Sequence, residues 1–133
     1  MASKIIRLAV TLPASPAAVY DAWLDGKRHG AMTGAKATAS AKVGGKFSAW
    51  DGYATGKNLA LKMGKQIVQS WRTSDFGASD PDSKLEIRLE KAKTGTKLTL
   101  IHSGVPSGTE ATYKDGWREY YFAPMKEYFG RHT

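Results

Sequence analysis

The chain contains no cysteine, only three histidines and a single asparagine. Without thiols there is no disulfide framework and no thiolate to act as nucleophile or metal ligand. His29, His102 and His132 are too scattered to frame a zinc site, so neither a metal nor any other cofactor is expected. Long apolar runs are also missing. The opening Met-Ala-Ser-Lys lacks a signal peptide's apolar core, and no stretch approaches a membrane span, which makes a cytoplasmic location the expectation. Catalytic signatures are equally scarce. There is no Gly-x-Ser-x-Gly elbow, and Gly52-x-x-x-Gly56-Lys57-Asn58 has the wrong spacing for a phosphate loop, with Asn where Ser or Thr is needed.

Acidic residues are absent from most of one segment. Between Lys27 and Arg72 nine Lys or Arg face a single acid, Asp51, whereas the rest of the chain balances at eleven of each, so this segment carries the whole net charge of +8. Such a bias describes either a solvated strand face or a patch that attracts an acidic partner, a nucleic acid or an anionic ligand head group. The lysines are singly spaced rather than clustered, and no nucleic-acid partner is expected.

What the chain does contain is patterned. Its 133 residues, 41% of them hydrophobic, suit one domain over 1–133 that buries about two-thirds of its unfolded surface. Lys4 to Leu12 alternates as a half-buried strand, with Ile6, Leu8, Val10 and Leu12 on one face. Ser15 and Pro16 supply an N-cap and a first helical position for a short helix that Asp25-Gly26 ends. Lys27 to Thr33 gives a second short helix closed at Gly34. From Ala35 to Val105 the pattern is strand and turn. Gly44-Gly45, Asp51-Gly52, Met63-Gly64 and Lys93-Thr-Gly95 serve as hairpin signals, and Leu85, Ile87 and Leu89, then Leu98, Leu100 and His102, share faces.

The last quarter, Ser107 to Arg131, reads as one amphipathic helix. Trp117, Tyr120, Tyr121, Pro124, Met125 and Tyr128 fall on one broad face centred near Trp117 and Tyr128. Phe122 and Phe129 lie off this stripe, and Lys114, Asp115, Glu119, Lys126 and Glu127 point away. Ser107-Gly-Thr-Glu110 has the form of a capping box, and Pro124 should bend the helix. Gly116, costly inside a helix, suggests a strand or ligand approaching beside Trp117. A curved sheet with one apolar face needs this helix as its cover. The expected class is therefore α+β: an antiparallel sheet of about six strands wrapped around a long C-terminal helix, with two short helices after the first strand.

Eight short stretches occur in the order found in a known family: Val19-Tyr-Asp-Ala-Trp23, Gly44-Gly-Lys-Phe47, Asp51-Gly-Tyr53 with Gly56, Ile67-Val-Gln-Ser-Trp-Arg72, Asp82-Ser83, Gly95-Thr-Lys-Leu-Thr-Leu100, His102-Ser-Gly-Val-Pro106 and Gly116-Trp-Arg-Glu-Tyr-Tyr121. Over nearly its whole length the chain resembles single-domain relatives of the C-terminal domain of the heat-shock-protein-90 ATPase activator, within the START-like (SRPBCC) helix-grip superfamily. The resemblance implies an apolar cavity between sheet and helix. Phe47, Trp71, His102, Trp117, Tyr121 and Met125 are the candidate lining for a small hydrophobic or lipid-like ligand, although the same side chains can simply fill the core. An acidic protein such as a chaperone is the alternative partner. His102 is the one candidate acid or base, against the plainer reading of a hydrogen-bonded core histidine, and a non-enzymatic role is favoured.

Overall fold

The computed structural model describes residues 5–131; Lys4, the expected start of the first strand, and His132 lie outside them. Strand β1 (Ile6–Leu12) buries every second residue, as its alternation requires. Helix α1 (Pro16–Trp23) starts at Ser15, whose hydroxyl accepts from the Ala18 amide at 3.2 Å. Asp25, expected to end α1, instead opens α2 (Gly26–Thr33) by accepting from the Arg28 amide at 3.1 Å. These two helices form an elbow between β1 and the meander.

Strands β2 (Lys46–Ala49), β3 (Ala54–Lys62), β4 (Gln66–Thr73), β5 (Ser83–Ala92) and β6 (Gly95–Ser103) follow in sequence. With β1 they build one six-stranded antiparallel sheet in the order β1-β6-β5-β4-β3-β2. The register lines Leu8, Leu100, Ile87, Ile67 and Leu61 in one row across five strands. Such a row makes the concave face continuously apolar, because directly opposed side chains on one face pack in pairs.

The Gly44-Gly45 pair is not a hairpin. Its amide and carbonyl groups bond the main chain of Asn58, at 2.8 Å from Gly44 N–H and 2.9 Å to Gly45 C=O. The chain's one asparagine also donates its side-chain amide to the carbonyls of Ser40 and Lys42, at 2.7 and 2.9 Å. Ala35 to Gly45 is therefore a loop hung on Asn58, joined also by the bridge Thr38↔Ser48 and by the Asp51 amide, which donates to the Lys36 carbonyl at 2.9 Å. Gly56 beside it is required sterically, since a Cβ there would lie 1.9 Å from the Ser70 carbonyl and 2.6 Å from the Phe47 ring.

The C-terminal helix runs from α3 (Glu110–Gly116) through a wide π-type segment (Trp117–Phe122) into α4 (Ala123–Arg131). It starts at Glu110 rather than Ser107, because Gly108 takes a left-handed φ of 89° and turns the chain there. The capping bonds shift accordingly: Glu110 accepts from the Gly108 amide at 2.9 Å, and the Thr109 hydroxyl donates to the Pro106 carbonyl. The irregularity expected at Pro124 takes the form of the wide turn just before it, where the Ala123 amide reaches back five residues to Arg118. Pro124 has no N–H to give and its ring displaces a carbonyl of the preceding turn; a wide turn accommodates both.

That turn also changes which residues face inward. In a regular helix residues spaced by four drift about 40° per step. Widening the turn opposes the drift, and Trp117, Tyr121, Met125 and Phe129 are all buried, with Phe122 beside them. Tyr120, expected on the apolar face, is 53% exposed, and Tyr128, expected near its centre, is only half-buried. The helix packs along the sheet with α4 against α2 and β1.

Candidate functional site

Where the helix crosses the far end of the meander, the fit between the layers opens into a cleft of about 310 Å³. The helix contributes Thr112, Tyr113, Gly116, Trp117, Tyr120 and Tyr121; the sheet contributes Trp71 from β4, with Trp50 and Tyr53 from the β2–β3 turn. That turn is unusual. Trp50 and Asp51 have left-handed φ angles of 56° and 55°, followed by Gly52 at 90°. Two consecutive non-glycine residues in this region cost roughly 1–2 kcal/mol each. The strain is offset by packing that holds the Trp50 ring edge-on to Tyr120 and Tyr121, with centroids 5.8 Å away in each case.

Polar groups at the wall are tied to partners at its rim. Tyr53 donates to Asp75 at 2.6 Å, and Thr73 and Tyr113 share a hydrogen bond of 2.8 Å. Burial, then the bond to Asp75, pushes the Tyr53 hydroxyl up to about 12. Among the described residues, no lysine or arginine lines the cleft.

Behind the cleft lie two histidines. The Trp117 indole N–H donates to His102 Nδ1 at 3.1 Å, so the ring proton sits on Nε2, which donates to Ser83 Oγ at 2.8 Å; Ser83 in turn donates to the Trp71 carbonyl. His102 has no exposed surface, and burial lowers its pKa to about 3. On the other side, His29 donates from Nδ1 to the Trp23 carbonyl at 2.9 Å and accepts from the Tyr121 hydroxyl at 3.0 Å on Nε2. Burial lowers the His29 pKa, an effect its bond to Trp23 partly opposes, and burial pushes the Tyr121 hydroxyl upward. Both imidazoles are neutral struts between helix and surrounding elements, with every ring nitrogen engaged.

Of the six residues expected to line a cavity, Trp71, Trp117 and Tyr121 do so. Met125 lies in the packed core beyond the cleft, His102 behind Trp71 and Trp117, and Phe47 against Gly56. Trp50, Tyr53, Thr112, Tyr113 and Tyr120 are the lining residues that sequence reasoning missed. For Trp50 and Tyr53 a signal existed, two aromatic residues flanking Asp51-Gly52, but periodicity cannot say that a turn folds back over a helix. Among the described residues no group of His, Asp or Glu could hold a metal ion, and no helix is long and apolar enough to cross a membrane.

An antiparallel sheet closed around one long C-terminal helix, with a cleft between them, is the helix-grip architecture. Within it the chain belongs to the family of activator of Hsp90 ATPase homolog 1-like proteins, whose model matches residues 13–130. It is 32% identical to an uncharacterised protein of Schizosaccharomyces pombe over 112 residues, covering 84% of this chain and 33% of that protein. It is 30% identical over 125 residues to the human activator of 90 kDa heat shock protein ATPase homolog 1, covering 94% of this chain and 37% of the relative. The chain thus spans about a third of the length of these curated relatives. Among solved structures, an HSP90 activator from Plasmodium falciparum superposes with a TM-score of 0.86 over 95% of this chain and 96% of its own, at 24% identity, a likeness of fold.

Proposed function

We propose that the domain binds a compact, ring-bearing apolar molecule in the cleft between the C-terminal helix and the sheet. One observation carries this reading: seven aromatic side chains converge on about 310 Å³ of space from three separate elements, with almost no polar surface among them. That volume stands at the small end of the roughly 300–1,000 Å³ typical of ligand sites, which favours a ring system over a long acyl chain. A naphthalene sulfonate dye titrated into the protein should show saturable fluorescence enhancement at one site per chain. Trp50→Ala should weaken it about tenfold, a change of ~1.4 kcal/mol. Enhancement that never saturates, or is indifferent to Trp50, would count against the cleft.

A second reading follows from the family and the charge. The human relative is named for activating a chaperone ATPase, and Lys36, Lys42, Lys46, Lys57, Lys62 and Lys65 are all exposed here. Carried over to this chain, these facts support an acidic protein partner such as a chaperone. Pull-down at low and high salt tests it, since contacts between exposed charges weaken as salt rises; absence of any salt-sensitive partner would remove it. An acid–base role for His102 gains no support, because both ring nitrogens are already hydrogen-bonded in the core.

A further inference from the structure

Among the described residues, part of the sheet is left without a neighbour. Strand β2 pairs with β3 only from Ala54 to Lys57, and the Gly44 and Gly45 bonds extend this cover by one residue, to Asn58. From Ala60 to Lys62, β3 pairs with β4 alone. The register shifts between Asn58 and Ala60, so the intervening Leu59 is turned outward and is 43% exposed. The bond between Gly44 and Asn58 brings Val43, 64% exposed, into the same neighbourhood, and Met63, 86% exposed, caps the hairpin.

Around these three aliphatic side chains stand Lys42, Lys46, Lys57, Lys62 and Lys65, all exposed. Lys46 and Lys57 are direct cross-strand partners, a like-charge pairing that costs stability when nothing neutralises it. Among the described residues the ion pairs are Arg72–Asp82 and Arg88–Glu86, so none of the five lysines has an acidic partner. No acid occurs between Asp51 and Asp75.

Lysines on a sheet edge ordinarily protect it from pairing with another copy of the same chain. They do so here, because two copies would set five positive charges against five. They do not repel an acidic strand, and protection alone gives no reason for three exposed aliphatic residues on or beside the same edge. We propose that the free edge of β3, Leu59–Lys62, receives an extended acidic segment of a partner protein as an added strand. Main-chain bonds would give the affinity, and alternating acidic and aliphatic side chains the selectivity. The edge is about 13 Å long at 3.3 Å per residue, which suits a segment of four to six residues. A nucleic acid would find phosphate contacts there but no aromatic ring between Leu59 and Lys65 on which to stack a base. This proposal goes beyond the cleft and does not depend on it; it shares with the chaperone reading only the charge of the segment.

The test uses a fluorescein-labelled octapeptide of alternating Val and Glu, followed by anisotropy with the full chain, and the same peptide N-methylated at every second amide. Saturable binding is expected, at least tenfold weaker for the methylated peptide and for the double variant Lys57→Glu with Lys62→Glu. Amide exchange should slow in the complex at Leu59–Lys62. Equal binding of the methylated peptide would reduce the edge to a charged surface and overturn the proposal. So would protection appearing elsewhere, or a DNA duplex binding more tightly than the peptide. Dye binding in the cleft, measured on the same sample, is unaffected by either result.

Discussion

Gly116 concentrates the choice between filling space and leaving it open. Its backbone is helical, and a methyl group there would meet nothing nearer than Tyr120 Cδ2 at 3.9 Å. Neither strain nor crowding requires a glycine, yet the missing methyl borders the cleft. Gly116→Ala should stabilise the protein by up to ~1 kcal/mol, read as a higher midpoint in urea, while weakening dye binding. If the dye bound the alanine variant equally well, it would not be sitting under the helix. His102 poses the opposite case. His102→Leu leaves the Trp117 indole N–H without an acceptor in the core and should cost ~1–3 kcal/mol, with loss of near-ultraviolet circular dichroism from the indole. The sequence placed His102 on an inward face correctly, because alternation with Leu98 and Leu100 is a local property. It could not show which partners saturate the ring, since Ser83 and Trp117 arrive from other elements.

At the scale of elements, strands and short helices were legible because their signals are local: period-two alternation for β1, β5 and β6, and the caps at Ser15 and Gly34. The C-terminal helix was legible as a helix and as the cover of the sheet, but not in its phase. A projection at 100° per residue assumes regular turns, and the wide segment at Trp117–Phe122 exchanges Tyr120 and Tyr128 for Phe122 and Phe129 on the inner side. The loop from Ala35 to Gly45 was misread for a related reason. Its fastenings, the main chain and side chain of Asn58 above all, lie outside the loop, where no pattern within it reveals them. Asn58→Leu should cost ~1–3 kcal/mol, since it strands the Gln69 amide that donates to Asn58 at 2.9 Å and frees the Ser40 and Lys42 carbonyls. Trypsin should then cut after Lys42 faster than in the unaltered protein; an unchanged cleavage rate would mean that the main-chain bonds alone hold the loop.

For the molecule as a whole, the buried histidines make stability fall in acid. Both have native pKa values below the ordinary value near 6.5, so the unfolded chain binds protons that the folded one refuses. Their contribution is complete above about pH 6.5 and is lost as pH falls, for His102 down to about 3. Within that window His102 should lower the free energy of unfolding by about 1.4 kcal/mol per pH unit, and His29 acts in the same direction. Urea denaturation at pH 7.5, 6 and 5 should show the decline, and His102→Leu should flatten it. A slope unchanged by that variant would place the acid sensitivity elsewhere.

The same two rings are held in opposite tautomers, the proton on Nε2 in His102 and on Nδ1 in His29, and each touches a different wall residue. Their nitrogen resonances are therefore separable and act as a pair of built-in gauges. A guest that shifts Trp117 registers at one imidazole, and a guest that shifts Tyr121 registers at the other.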